Sequence, residues 1–227
     1  SIFKAIINMA VNELGWIPHS PISGVSYPKN PVKRNRFITP SEEVSLLDSC
    51  SPWLYPIITF ALDTGMRRGE ILSLDWSSVS FTHKMVVVEK SKNNTKRGIP
   101  MTSRVYTTLE GLNVLNQSPR AHLNTVFLSD SSPVTPNSLE YAFRKATDRS
   151  GINDLHFHDL RHTFCSRLVQ DGVDLYTVQT LAGHKSIAMT QRYAHLNVDN
   201  LRHAISRLDI SRLDRNPGIS PHTQSVA

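Results

Sequence analysis

The sequence has 227 residues, and 25 Lys and Arg against 19 Asp and Glu give it a formal charge of +6. This length suits one domain, or one domain with a fragment of another, and the basic charge favours an anionic partner. No secretory signal is expected, and the uncharged stretch 49–62 is shorter than the roughly 20 apolar residues of a membrane span. Two cysteines, Cys50 and Cys165, are typical of a chain in a reducing compartment.

Apolar side chains recur at helical spacing over residues 1–17, which predicts an N-terminal helix. Residues 18–36 differ in character, because prolines there precede a basic run that ends at Arg36. This composition predicts an extended linker. The first helix is therefore expected to be the last element of a domain whose remainder is missing, and the alternative is a helix that packs on a domain of its own.

The segment that begins at Thr39 has the composition of a helix start. Thr39 can cap the backbone, Pro40 suits the first turn, and two acidic residues follow. Gly65 can supply the left-handed residue that ends the next helix. After the helix that starts at Thr39, helical patterns place further helices near 53–63, 68–74, 102–115, 136–150, 158–171, 174–182, 187–195 and 198–208.

Residues 79–101 change to a period of two. Short strands are expected at 79–81, 85–88 and 99–101, joined by polar turns. The predicted fold class is therefore mainly α with a small three-stranded antiparallel sheet.

The first segment that can carry chemistry is TGMRRGE, residues 64–70. An arginine that follows a helix-ending glycine projects from a fixed turn. Glu70 comes three residues after Arg67 and can hold its guanidinium group. The alternative for this segment is an ordinary surface ion pair.

A second segment, HDLRH, starts an amphipathic helix. His158 and Arg161 are three residues apart and share a helix face, so a proton-exchanging imidazole lies beside a permanent charge, an arrangement that suits a phosphoryl site. One alternative is a helix-capping histidine with a solvated arginine. Another is a metal site formed with His156 and His162, whose spacing is only a weak zinc signal, and no metal is expected.

Two further segments carry candidate groups. LAGHKS is a helix–glycine–helix corner that presents His184, and Tyr193 follows nine residues later. A tyrosine at such a position is often a packing residue, and its phenol becomes a nucleophile where cations or a base favour phenolate. The hairpin between the second and third strands holds Lys90, Lys92 and Lys96, which either form a solvated tip or supply one proton donor.

In this order, TGMRRGE, the lysine hairpin, HDLRHTF and LAGHKSIAMTQRYAH resemble the catalytic domain of the tyrosine recombinases, the phage integrase family. The resemblance covers residues 37–200, and four motifs in the right order are far more specific than any one of them. It implies four segments along the chain. These are the remnant of an N-terminal core-binding (DNA-clamp) domain at 1–28, a basic linker at 29–36, a catalytic domain at 37–208, and a tail at 209–227 that docks on a neighbouring protomer.

The resemblance also implies the site residues and their roles. Tyr193 would be the nucleophile that forms a 3′-phosphotyrosyl link, with His158 as general base. Arg67 and Arg161 would clamp the phosphate and His184 would hydrogen-bond to it. The remaining assignments are Lys92 as the proton donor to the departing 5′ oxygen and Glu70 as the support of Arg67. Lys92 is preferred to the other hairpin lysines by counting back from RGIP, which resembles the family's Arg-x-Val-Pro strand.

The function implied is a site-specific DNA recombinase of the integrase type that cleaves and rejoins strands without a cofactor, metal or ATP. Its expected partner is a double-stranded DNA target site, on which four copies assemble from free monomers, with no membrane involved. A bacterial or phage-type cytoplasmic protein associated with the nucleoid is expected. Ile205, Leu208, Ile210 and Leu213 would supply the apolar contact of the tail. The alternatives are a relaxing topoisomerase, a DNA-binding regulator on this fold that no longer cuts, and a helix-turn-helix repressor.

Overall fold

The computed structural model describes residues 2–25, 36–89, 96–116, 124–196 and 205–206. The chain forms two compact units, residues 1–34 and 35–227. The first unit holds helix α1, Ile2–Asn12, which has no buried residue. Turns follow α1, and the left-handed Gly15 lies among them, so this helix is shorter than the apolar pattern over 1–17 predicted. No helix in the described ranges is long and apolar enough to cross a membrane.

The second unit is mainly helical, with short strands and 3₁₀ turns between the helices. Its helices are α2 Pro40–Asp48, α3 Leu54–Thr64, α4 Arg68–Leu72, α5 Ser103–Asn116, α6 Pro136–Ser150, α7 Phe157–Gln170, α8 Leu175–Ala182 and α9 Ile187–Gln191, with 3₁₀ turns at Trp76–Ser78 and Ala194–Leu196. Its strands are β1 Val79–Ser80, β2 Met85–Val88, β3 Arg97–Pro100, β4 Leu128–Ser129 and β5 Ser132–Pro133.

Helix α2 begins where the sequence predicted, with a reciprocal cap. The Thr39 hydroxyl accepts the backbone N–H of Glu42 at 3.2 Å, and the Glu42 carboxylate accepts the backbone N–H of Thr39 at 2.9 Å. Two of the amides that a helix start leaves without an intrahelical partner are thereby satisfied. The predicted helix start at Thr39 is confirmed.

Helix α3 is the centre of the hydrophobic core. Its side chains are buried on nearly all sides, and it packs against α5 and α7. Phe60 of α3 meets Phe127 edge-on with ring centroids 5.2 Å apart, which joins the helical core to the segment before β4. Because α3 and α7 pack together, the end of α3 and the start of α7 hold a fixed relative position.

Strands β1, β2 and β3 form the predicted antiparallel sheet in that order. Val86 pairs with Val79 on one side and with Ile99 on the other, and Val88 pairs with Arg97. This sheet confirms the predicted fold class. A second pair of strands, β4 and β5, was not predicted. The helix predicted at 187–195 is shorter, since α9 ends at Gln191 and Tyr193 lies in the turn that follows, and most of the helix predicted at 198–208 lies outside the described residues.

Gly65→Ala is expected to destabilise the second unit strongly. Gly65 ends α3 with φ +59°, and a Cβ placed there would lie 2.2 Å from Cδ1 of Phe164. The left-handed backbone and the displaced ring together predict a loss of about 3 kcal/mol in the free energy of unfolding, measured by urea titration.

Gly111→Ala is the matched control for this substitution. Gly111 lies within α5, and a Cβ there meets no heavy atom within 4 Å. We expect a gain of about 0.5–1 kcal/mol from helix propensity. Equal losses in both variants would contradict the role of Gly65.

Candidate active site

The carboxylate of Glu70 lies at the centre of a group of arginine side chains. Gly65 ends α3, and Arg67 is extended, so that Glu70 falls in the first turn of α4 and faces back toward Arg67. Glu70 Oε1 accepts from Arg67 Nη1 at 2.8 Å, and Oε2 accepts from the Arg67 backbone N–H at 2.9 Å. The contact that the spacing of TGMRRGE predicted is present in the structure.

A second guanidinium group binds the same carboxylate. Arg97, the first residue of β3, contacts Oε2 of Glu70 through Nη2 at 2.7 Å and Oε1 through Nη1 at 3.2 Å. Burial raises the pKa of the Glu70 carboxyl, but hydrogen bonds from Arg97 and Arg67 outweigh this and hold the pKa below its usual value. Glu70 is therefore ionised at neutral pH and fixes both guanidinium groups. The sequence did not predict this role for Arg97, and the available signal was its place at the start of RGIP.

Arg67 also reaches the glycine corner after α8. Its Nη2 donates to the carbonyl of Gly183 at 2.6 Å. Gly183 ends α8 with φ +66°, so its left-handed conformation turns the chain directly into His184. A cleft of about 470 Å³ opens beside this corner, and cationic side chains at its wall, including Lys96 and Lys185, suit a nucleic-acid backbone.

Arg161 projects from α7 into the same region. Its side chain is buried, and Nη1 donates to the carbonyl of Gly65 at 2.7 Å. Burial, and then the neighbouring charge of Arg67, lower the pKa of Arg161 to about 10. The guanidinium is still charged at neutral pH, so Arg67 and Arg161 together concentrate positive charge at this place.

Both predicted histidines lie beside this charge and are held neutral. Burial, followed by the charges of Arg161 and Arg67, lowers the pKa of His184 to about 3. Burial and Arg161 also lower the pKa of His158. His184 Nδ1 lies 2.8 Å from the Thr190 hydroxyl, which orients its ring. Each neutral imidazole has one nitrogen that donates and one that accepts a hydrogen bond, so both rings can bond to polar groups at the site.

Tyr193 is buried beside His184. Its ring is stacked 6.4 Å from that of His184, and the Arg192 guanidinium lies 5.7 Å from its centroid. Its hydroxyl is hydrogen-bonded to Nδ1 of His162, which lies one turn after His158 on α7. Burial raises the pKa of the Tyr193 phenol above its usual value, so the free chain holds it protonated.

His162 is the second residue that sequence reasoning missed. It was weighed only as a metal ligand, although its position four residues after His158 places both rings on one helix face. The two rings meet edge-on with centroids 5.0 Å apart, and burial lowers the pKa of His162 to about 4. The histidine that contacts the Tyr193 hydroxyl is thus His162, and the predicted base His158 is its neighbour on α7.

The structure brings together five of the six predicted catalytic residues. These are Arg67, His158, Arg161, His184 and Tyr193. Lys92 lies outside the described residues, but the strands that flank its hairpin are described and end with Val88 opposite Arg97. Within the described part of the chain, no group of three or more His, Cys, Asp or Glu side chains is arranged to hold a metal ion.

The fold and this site define a mainly helical domain in which two guanidinium groups and neutral histidines lie close to one buried tyrosine. The family model described as "Phage integrase family" matches residues 36–200. The chain therefore belongs to the phage integrase family.

Two curated relatives agree with this membership. The chain is 34% identical to the integrase of Salmonella phage P22, over 92% of this chain and 56% of that protein. It is 33% identical to the shufflon-specific DNA recombinase of Escherichia coli, over 93% of this chain and 53% of that protein. The chain thus spans about half the length of these relatives.

Two solved structures show the same fold at lower identity. The XerA recombinase matches with a TM-score of 0.66 at 23% identity, covering 90% of this chain and 81% of that one. The Tn1549 transposon integrase in complex with a circular intermediate DNA matches with a TM-score of 0.70 at 22% identity, covering 91% and 75% of the two chains.

Proposed function

We propose that this chain is the catalytic part of a site-specific DNA recombinase that cleaves and rejoins strands through a covalent 3′-phosphotyrosyl intermediate. The observation that carries the proposal is that Arg67 and Arg161 lie beside His184, on whose ring the buried Tyr193 is stacked. Charge builds on the non-bridging phosphate oxygens during this transesterification, and planar guanidinium forks stabilise it through paired hydrogen bonds. Two such forks supply the positive charge, so the proposed reaction requires neither metal nor ATP.

Each remaining group has one step in the proposed reaction. The Tyr193 oxygen attacks phosphorus, the bond to the 5′ oxygen breaks, and that oxygen takes a proton from Lys92. His158 accepts the phenolic proton, and His184 donates a hydrogen bond to the phosphate. In the free chain His162 holds the phenol, so the arriving phosphate has to draw Tyr193 toward the arginines. Rejoining is the same exchange in reverse, with the bond energy kept in the tyrosyl ester.

The proposed partner is a double-stranded DNA target site. The cationic cleft beside His184 and the names of the relatives, an integrase and a DNA recombinase, support it. We further assign residues 1–28 to the end of a DNA-clamp domain, 29–36 to a linker, 37–208 to the catalytic domain and 209–227 to a docking tail. The proposed assembly is four copies on DNA formed from free monomers. Such a protein would act on the nucleoid in a bacterial cytoplasm.

Covalent capture on DNA tests the proposed function. The chain is incubated with a pool of singly nicked duplexes that carry a random central region, and complexes that survive denaturation are isolated and sequenced. The nick lets the short cleaved fragment diffuse away, so the tyrosyl ester accumulates. We expect adducts enriched in one sequence, formed equally well in the presence of a chelator, because Arg67 and Arg161 supply the positive charge.

Other outcomes identify the alternatives. Adducts on all sequences alike, with relaxation of supercoiled DNA, would indicate a topoisomerase. Enrichment of one sequence by non-covalent binding, without any adduct, would indicate a regulator that does not cut. Loss of the adduct on addition of chelator would contradict the proposed mechanism.

A further inference from the structure

Arg97 bonds to protein through all three nitrogens of its guanidinium group, and no step of the proposed reaction uses it. Its side chain is only 8% exposed. Besides the two bonds to Glu70, its Nε donates to the carbonyl of Leu181 at 3.1 Å. The guanidinium also lies directly under Gly183, where an added Cβ would approach Nη1 to 2.7 Å. All three nitrogens of this guanidinium are thus bonded to protein, and only the small exposed part of the side chain reaches the wall of the cleft beside His184.

These contacts join segments that are far apart in the sequence. Arg97 donates to the Glu70 carboxylate through both Nη1 and Nη2, and the same carboxylate orients Arg67. Leu181 belongs to the last turn of α8, just before the corner that presents His184. Arg97 itself begins β3, opposite Val88, at the base of the hairpin that carries Lys92. The Arg97 guanidinium, at the start of β3, is therefore bonded both to the start of α4 and to the end of α8.

We propose that Arg97 is a positioning residue that fixes Arg67 and His184 relative to each other and anchors the base of the β2–β3 hairpin, without itself contacting substrate. This inference rests on the proposed function only for its effect on rate. The geometric claim, that Arg67 and His184 depend on Arg97 for their relative position, stands on the structure alone.

Lysine cannot replace Arg97 in this role. An ammonium carries the same charge, but it cannot make two parallel bonds to a carboxylate and a third to a carbonyl on the opposite side. Misplacement of a catalytic group by about 1 Å can cost about 10²-fold in rate. Arg97→Lys keeps the positive charge but loses the planar guanidinium group. The variant therefore distinguishes a positioning role from a role in charge balance alone.

Arg104 provides a matched control. It also bridges two carboxylates, with salt bridges to Glu43 and Asp63, at a part of the fold formed by α2, α3 and α5. None of its described contacts is to a predicted site residue. Arg104→Lys therefore disturbs an ion-pair network of the same kind without touching the site.

The test compares Arg97→Lys and Arg104→Lys with the unaltered chain on the DNA selected by covalent capture. At saturating DNA, we expect the single-turnover rate of adduct formation to fall about 10²-fold in Arg97→Lys and to stay unchanged in Arg104→Lys. DNA affinity should be unchanged in Arg104→Lys. In Arg97→Lys any fall in affinity should be far smaller than the fall in rate, because lysine keeps the charge of Arg97 at the cleft wall. An unchanged rate in Arg97→Lys, or a loss confined to affinity, would overturn the proposal.

Crystal structures of the unaltered chain and the variant give a readout that does not depend on activity. We expect the Arg67 guanidinium to shift relative to the His184 ring in Arg97→Lys, and the two groups to keep their places in Arg104→Lys. If both groups keep their places in Arg97→Lys, the proposal is wrong even if no DNA is ever cleaved. Absence of an adduct with the unaltered chain, by contrast, counts only against the proposed function. Should Arg97→Lys fail to fold, Arg97→Met, which keeps the apolar stem, replaces it in both measurements.

Discussion

Tyr193→Phe is expected to abolish covalent adduct formation entirely. The substitution removes the only atom that the proposed mechanism joins to phosphorus and leaves a ring that can still stack on His184. Loss of the hydrogen bond to His162 should change the free energy of unfolding by about 1 kcal/mol. Adduct formation is measured by denaturing gel on the selected nicked DNA, and DNA affinity is measured in parallel and should be retained.

Tyr106→Phe is the control for the loss of a phenol. Tyr106 packs edge-on against Phe81 with centroids 5.6 Å apart, a contact that phenylalanine preserves, and it has no part in the proposed site. The control should form adduct at the normal rate. A persistent adduct in Tyr193→Phe would show that another side chain is the nucleophile, and mapping of the DNA-linked peptide would then identify it.

Arg161→Lys is expected to lower the rate of adduct formation by about 10²–10³-fold, the usual cost of removing one positioned donor. Lysine supplies a single ammonium where the phosphate is proposed to meet a planar fork. The free energy of unfolding of Arg161→Lys should not fall in proportion to the loss of rate. Burial and Arg67 already disfavour the charged guanidinium, as the lowered pKa of Arg161 shows, so this charge serves the site more than the fold.

Arg167→Lys, on the same helix, separates these two effects. Arg167 forms a salt bridge with Glu43 and lies away from the site residues. Cleavage by Arg167→Lys should be normal. If Arg161→Lys lost activity only in step with a lower midpoint of urea unfolding, Arg161 would be a structural residue, and the phosphate clamp would have to be reassigned.

Local features of the fold could be predicted from the sequence because they depend on neighbouring residues. The cap formed by Thr39 and Glu42 spans three residues, and Gly65 and Gly183 end their helices in the left-handed conformation that glycine adopts readily. The contact between Arg67 and Glu70 is equally local. The hairpin of β4 and β5 was missed because Asp130 and Ser131 form its turn with positive φ, without the Asn-Gly or Asp-Gly pair that usually marks such a turn.

By itself, the sequence determined the family, the strand and helix types, and the candidate residues, since motif order and periodicity are properties of the chain. Tertiary structure alone decided which histidine touches Tyr193, and it placed His162 there. It also brought Arg97 from a strand, Glu70 from a helix start and Leu181 from a helix end into one bonded group. Burial beside two guanidinium groups then set the pKa values of the histidines. These contacts link residues that are tens of positions apart. They arise because α3 packs on α7 and α8 packs on β3, and no local sequence pattern encodes that packing.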